Sequence, residues 1–286
     1  MATPSRISVV TGGNSGLGKT LVQALAEAGD QVYMVARDLA RGEAARDELI
    51  AKTGNPHIDL LLADLASQAD VRRLADELGK RSDRIDRLVN NAGTAYPNRD
   101  LTEDGIERTF AVNHLAPFLL TNLLLPLLQT AAPARIVNVG TRIDTAIALD
   151  DVNFERRRYS MMRAYGQAKL GNILFTRALA ARLAGTGITV NCVFPGVFRS
   201  NLGGTDGAQP ALVKLFAKTL GWALPPPERA AERVLYLLRS DEVSDTTGGY
   251  FGNRRLIRAP AQAEDPTAIA RLWELSAELT GLHDSD

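Results

Sequence analysis

The run Tyr165-Gly166-Gln167-Ala168-Lys169 sets a phenol and an ammonium four residues apart. On a helix that spacing brings both side chains to one face. A lysine cation about 5 Å from a tyrosinate, at an effective dielectric of about 20, stabilises the anion by about 3 kcal/mol. That lowers by about two pKa units a phenol that ordinarily titrates near 10. Such a tyrosine is an acid towards a carbonyl oxygen, or a base towards an alcohol, near neutral pH. Tyr159 is the competing phenol, but its partner four residues on is Arg163, whose guanidinium does not readily shuttle protons.

Protonating a carbonyl oxygen is half of a reduction; the other half is hydride from a carrier. Directly after the first apolar run stands Thr11-Gly12-Gly13-Asn14-Ser15-Gly16-Leu17-Gly18, which opens an amphipathic stretch. Glycines there let the backbone turn tightly and let a pyrophosphate approach a helix N-terminus, where free N–H groups and the helix dipole favour anions. Gly12, Asn14, Ser15, Gly16, Leu17 and Gly18 are therefore candidate nucleotide contacts. The second apolar run ends Val35-Ala36-Arg37-Asp38, with a cation where an acid would bond the ribose hydroxyls of NAD(H). Arg37 suits the 2′-phosphate of NADP(H). One charge-assisted bond of about 1.5–3 kcal/mol gives roughly a ten- to 150-fold preference. In the alternative, Asp38 reaches the ribose and Arg37 is solvated.

These residues need a scaffold, and the hydrophobic pattern supplies one. Apolar runs at Ile7–Val10, Gln31–Ala36, Ile58–Leu62, Ile85–Val89, Arg135–Val139 and Ile188–Val193 read as buried parallel strands. Between them, Leu17–Ala28, Leu39–Ala51, Ala69–Arg81, Thr102–Thr130 and Tyr165–Ala184 read as helices. The alternation predicts an α/β fold: a Rossmann-type doubly wound parallel sheet of about seven strands with helices on both faces, in one domain. Beyond residue 200 the pattern changes. Residues 198–227 read as a substrate lid, with an apolar stripe at Leu212, Leu215, Phe216 and Leu220 followed by Trp222 and Leu224. Glu228–Leu238 reads as a helix, Thr247–Phe251 as a last strand, and residues 260–286 as a C-terminal segment whose helix spans Pro266–Leu279.

Composition excludes several classes. Acidic and basic residues balance, at 33 each, so no broad positive field invites nucleic acid. One cysteine, Cys192, and three scattered histidines, His57, His114 and His283, offer neither a disulfide nor a metal-ligand spacing. No membrane span is expected: Ala116–Leu128 comes nearest and is interrupted by Thr121, Asn122 and two prolines. Met1–Arg6 leads straight into a strand-like run without the regions of a signal peptide. A reduced, metal-free, cytoplasmic enzyme fits these features. Arg156-Arg157-Arg158 reads as a solvated face in preference to an anion site.

Taken in order, Thr11-Gly-x-x-x-Gly16-x-Gly18, Asp64-Leu65, Asn90-Asn91-Ala92-Gly93, Asn113, Tyr165-x-x-x-Lys169 and Pro195-Gly196 resemble the short-chain dehydrogenase/reductase family, in its single-domain branch, over residues 6–202. Asp104–Glu107, Val112–Leu115 and Lys169–Phe175 resemble its retinol dehydrogenase-related group. The resemblance implies that Asp64 contacts the adenine, that Leu65 beside it is a cofactor-binding residue, and that Asn91, Ala92 and Gly93 line the adenosine side. Pro195, Gly196 and Val197 would border the nicotinamide, with Ser200 near its carboxamide or the phosphates. Tyr165 would be the acid/base, Lys169 would lower its pKa and hold the ribose, and Asn113 would bind a water linking Lys169 to solvent. Thr141 stands where the family usually has its catalytic serine, offering the same hydroxyl with an added methyl and a stiffer χ1.

The implied activity is NADP(H)-dependent interconversion of a carbonyl and an alcohol on a hydrophobic small molecule. Two alternatives stay open at this point. One is reduction of an activated C=C bond, where Val197 occupies the place at which that group carries cysteine. The other is a non-catalytic NADP-binding sensor or scaffold, which should lack the Tyr165–Lys169 pair. Assembly into a homodimer or homotetramer through Thr102–Thr130 and Tyr165–Ala184 is implied, unless those faces are buried within one subunit.

Overall fold

The computed structural model describes residues 6–142, 144–198 and 225–282. Its sheet takes the strands in the order β3-β2-β1-β4-β5-β6-β7-β8. The strands are β1 (Ile7–Thr11), β2 (Gln31–Ala36), β3 (Ile58–Leu62), β4 (Arg87–Asn90), β5 (Ala134–Val139), β6 (Ile188–Phe194), β7 (Tyr250–Gly252) and β8 (Arg255–Leu256). All neighbours pair in parallel except β7 and β8. Strand order reverses between β1 and β4, which opens a crevice at their carboxyl ends.

Helices α1 (Gly16–Glu27), α2 (Leu39–Thr53) and α8 (Pro227–Arg239) pack on one face of the sheet through a core that includes Leu21, Leu25, Leu49 and Val234. Helices α3 (Gln68–Arg81), α5 (Ala116–Leu123) and α7 (Met161–Arg182) cover the other through Leu74, Leu78, Phe118 and Phe175. Both faces of the sheet are thus dry, as the near-continuous apolar strands require.

The expected helix over Thr102–Thr130 is broken into pieces. Leu101 bridges Glu107, and the Glu107 carboxylate then accepts from the N–H groups of Thr109 and Phe110, each at 2.9 Å. This caps a single turn, α4 (Arg108–Phe110), which runs into a π-helical turn, Ala111–Leu115, before α5 and a last short helix, α6 (Leu125–Thr130). Pro117 lacks the N–H that the Asn113 carbonyl would meet at i+4. A widened turn follows at that point.

Smaller differences have similarly local causes. The fourth strand begins at Arg87, not Ile85: the Ile85 N–H leaves the ladder for the Leu127 carbonyl at 3.0 Å, and the Asp86 carboxylate accepts the Ile7 N–H at 2.8 Å. Helix α7 starts at Met161, ahead of the expected Tyr165. Strand β8 adds an antiparallel edge through a tight turn at Asn253 and Arg254, both at positive φ.

The C-terminal helix α9 (Pro266–Thr280) lies on α5 and α7. Trp273 meets Phe118 edge to face and stacks on Phe175, with centroids 5.0 and 6.1 Å away. The Arg182 guanidinium lies 3.8 Å from the indole centroid. Ser276 Oγ stands 2.9 Å from His114 Nε2, and Gln68 and Arg72 donate to the last carbonyls of the helix, those of Leu279 and Thr280. Part of the apolar faces read as an assembly surface is therefore covered by the chain's own terminal helix. Among the described residues, no helix is long and apolar enough to cross a membrane.

Candidate active site

The site is built where β1 and β4 part. Thr11 Oγ1 accepts from the N–H groups of Asn91 and Ala92, each at 3.0 Å, and Asn91 Nδ2 donates to the Thr11 carbonyl at 2.8 Å. These bonds tie the glycine turn to the end of β4. Gly18 is required by contact: a Cβ there would lie 2.1 Å from the Gly12 oxygen, so α1 starts hard against the turn. Gly12 holds φ +64 and Gly16 φ +50. The first turn of α1 carries no acidic side chain, which leaves its N-terminal dipole positive.

At the end of β2, the Asp38 carboxylate accepts the Arg41 N–H at 2.8 Å and caps α2. Arg37 and Arg41 both line the cavity. Arg41 went unremarked in the sequence; its signal is the i+4 spacing from Arg37 on a first helical turn. On the other side of β2 from β1, Asp64 and Leu65 follow β3 and line the same space.

Tyr165 and Lys169 lie on α7, buried to 9% and 3% exposure. The Lys169 ammonium donates to the Val139 carbonyl at 2.8 Å and stands 5.9 Å from the Tyr165 ring centroid. A Cβ on Gly93 would approach Asn113 Oδ1 to 2.9 Å and Lys169 Nζ to 3.2 Å, so this glycine makes room for both. Asn113 sits in the π turn, behind the cavity wall. Its amide donates to the carbonyls of Thr109 and Thr94, at 2.7 and 2.8 Å, and its oxygen accepts from the Thr94 N–H at 3.1 Å.

The electrostatics correct one expectation. Burial pushes the Tyr165 phenol up to about 12, with the Thr141 side chain pulling the other way. Burial also lowers the Lys169 ammonium to about 8. Burial dominates the phenol, because the i+4 spacing reveals the charge but not the desolvation that accompanies it.

Thr141 follows β5 and lines the cavity beside Tyr165. Across from it, Pro195, Gly196 and Val197 follow β6. Arg233 of α8 donates to the Pro195 carbonyl at 2.8 Å and packs so closely on Gly196, at φ +90, that a Cβ there would be 2.0 Å from its Nη1. Nothing in the sequence pattern marked Arg233. Ser200 and the lid residues Leu212, Leu215, Phe216, Leu220, Trp222 and Leu224 lie outside the described residues.

Tyr159, the competing phenol, donates to the Tyr96 carbonyl at 2.8 Å and is pushed up to about 12 by burial. Arg156 and Arg157 pair with Asp150 and Asp151.

The cavity encloses about 530 Å³, within the usual range for a cofactor site. Its cradle fits a dinucleotide: glycines where side chains would close it, a positive helix end, two arginines at one extremity and a buried cation at the other. Tyr96, Met162, Phe194, Val197 and Phe198 form its apolar part, and Met162 and Val197 are 55% and 68% exposed.

A doubly wound sheet with a glycine turn at its switch point and a buried Tyr–Lys pair beside it defines a dinucleotide-binding α/β oxidoreductase. The model for short chain dehydrogenases matches residues 6–210, and the chain belongs to that family. It is similar to human retinol dehydrogenase 13, at 41% identity over 98% of this chain and 86% of that protein. Human retinol dehydrogenase 14 is 39% identical over 96% and 85%. Among solved structures, an uncharacterized protein from Mycobacterium paratuberculosis gives a TM-score of 0.78 at 33% identity, covering 97% of this chain and 94% of that one. The RhlG/NADP active-site complex of Pseudomonas aeruginosa gives 0.67 at 30%, covering 88% and 96%. The chain is accordingly an oxidoreductase of carbonyl and alcohol groups, similar to the retinol dehydrogenases.

Proposed function

We propose that the enzyme uses NADP(H) to interconvert a carbonyl and an alcohol on a hydrophobic small molecule, with Tyr165 as the proton donor and acceptor. One observation carries this reading: Thr141, Tyr165 and Lys169 converge on the wall of a cavity whose other extremity holds the glycine turn, Arg37 and Arg41. When bound, the nicotinamide supplies the hydride for the carbonyl carbon.

The chain's own residues do the rest. Tyr165, neutral at physiological pH, donates its proton to the carbonyl oxygen, and Thr141 offers that oxygen a second hydroxyl donor. Lys169 keeps a positive charge beside the developing anion and holds the ribose. Asn113 holds the Gly93–Thr94 wall through its side chain, and its carbonyl, with no i+4 amide to accept from, is the group we assign to the water linking Lys169 with solvent.

Asp38 is engaged in capping α2, which supports the 2′-phosphate role of Arg37 over a ribose role of Asp38. The apolar mouth at Met162 and Val197 supports a hydrophobic substrate. The similar Pseudomonas aeruginosa structure, at 30% identity, is a complex with NADP, in keeping with the same reading. Steady-state rates with NADPH and NADH test it across aromatic ketones, long-chain aldehydes and sugars. Turnover of the apolar carbonyls with NADPH is expected. Arg37→Ala should raise the KM for NADPH about tenfold or more and leave that for NADH nearly unchanged. Equal effects on both cofactors, or a preference for sugars, contradict the assignment.

A further inference from the structure

Thr141 is the point at which this chain departs from the family's usual serine, and it lies beyond the end of the β5 ladder, whose last pair is Val139 with Val193. Its placement depends on two anchors. The residue before it, Gly140, donates its N–H to the Val193 carbonyl at 2.8 Å. The Thr141 carbonyl itself accepts the phenol of Tyr250, on β7, at 2.9 Å. Tyr250 is 3% exposed. A Cβ on Gly140 would stand 2.7 Å from Cys192 Sγ and 3.9 Å from Tyr250 Cε2, so the strand end is seated directly against β6 and the Tyr250 ring.

We propose that Tyr250 is a positioning residue for the reaction: its hydroxyl fixes the Thr141 main chain, and with it the direction in which the Thr141 hydroxyl faces Tyr165 and the substrate oxygen. The inference rests on the roles of Thr141 and Tyr165 given above. The link from main chain to hydroxyl is the β-branched side chain, whose χ1 has few accessible states once φ and ψ are held. A serine there would be freer, so a chain that carries threonine has more to gain from a clamped backbone. Burial raises the Tyr250 phenol above the usual phenol range, so it remains a donor throughout the working pH range.

Tyr250→Phe keeps the ring against Gly140 and removes only the donor. With NADPH and an aromatic ketone, kcat should fall about tenfold. The dissociation constant for NADPH, read by nicotinamide fluorescence, should stay at the wild-type value. In a Thr141→Ala background, Tyr250→Phe should change kcat by less than about twofold, because the hydroxyl it aims is gone. Wild-type kcat in Tyr250→Phe, losses that multiply in the double variant, or an NADPH affinity weakened as much as kcat would each overturn the proposal. A Tyr165→Phe control separates the two layers. Full activity there overturns the acid–base reading itself, whereas an inactive Tyr165→Phe alongside multiplying losses overturns only the positioning role.

Discussion

Tyr165 holds its proton up to a pKa of about 12 and Lys169 gives up its own near 8 for one reason, the burial that disfavours the charged form of each. The chain alone therefore presents a neutral phenol, ready to donate, beside an ammonium kept charged at neutral pH at a cost. That cost can be measured. The Lys169 ammonium is lowered from 10.5 to about 8 on folding, so the folded chain binds this proton less tightly than the unfolded one. Below pH 8 the penalty is present in full, and stability rises as pH goes from about 8 towards 10.5. Lys169→Met should raise the unfolding free energy at pH 7 by about 1–3 kcal/mol, less at pH 10, while abolishing turnover. Urea unfolding at the two pH values checks the sign. Thr141 is tested by its hydroxyl: Thr141→Ser should keep kcat within about threefold, and Thr141→Val should lower it about a hundredfold. A fully active valine variant would remove Thr141 from the mechanism.

The helices and strands that carry these residues differ in how far the sequence announces them. Strands β2 and β3 have the bounds expected from their apolar runs, and the glycine turn sits where strand meets helix, because periodicity and glycine geometry act locally. The Thr102–Thr130 stretch misled because helical periodicity persists through a break. Gly105, at φ +74, Pro117, four residues past Asn113, and Pro126, at the start of α6, mark where hydrogen bonding fails. Tyr250 and Arg233 were invisible for another reason: each acts through a contact made by tertiary packing, with no local spacing to betray it. The π turn also links the site to α9 through His114. Burial lowers this imidazole from 6.5 to about 4, so the unfolded chain takes up a proton that the folded chain refuses. Stability should fall as pH drops through that window. Between pH 6.5 and 4.5 wild type should lose about 2–3 kcal/mol more than His114→Gln, measured by urea denaturation. Parallel slopes would place the acid sensitivity elsewhere.

At the scale of the whole molecule, the two ends of the sheet serve different purposes. The carboxyl ends of the strands open into the cavity, whereas the amino ends are closed by a buried ion pair between Asp30 and Arg87, joined by Ser8 Oγ at 2.7 Å from Asp30 and by the Leu238 carbonyl. Removing one partner of such a pair leaves an uncompensated buried charge, so this end holds α8 and the sheet together while the loops opposite are left to chemistry. Helix α9 packs on α5 and α7 through Trp273, burying part of the faces that the sequence offered for assembly. All these features converge on a single claim, that a buried tyrosine moves the proton in an NADP(H)-linked carbonyl reaction. The most direct test compares wild type with Tyr165→Phe in NADPH oxidation driven by a hydrophobic aromatic ketone, with NADPH binding measured in parallel. Unchanged NADPH binding and a loss of kcat of about a thousandfold are expected. Turnover retained by Tyr165→Phe, or a wild-type chain that binds NADPH and turns over no carbonyl in a broad apolar panel, would contradict the claim.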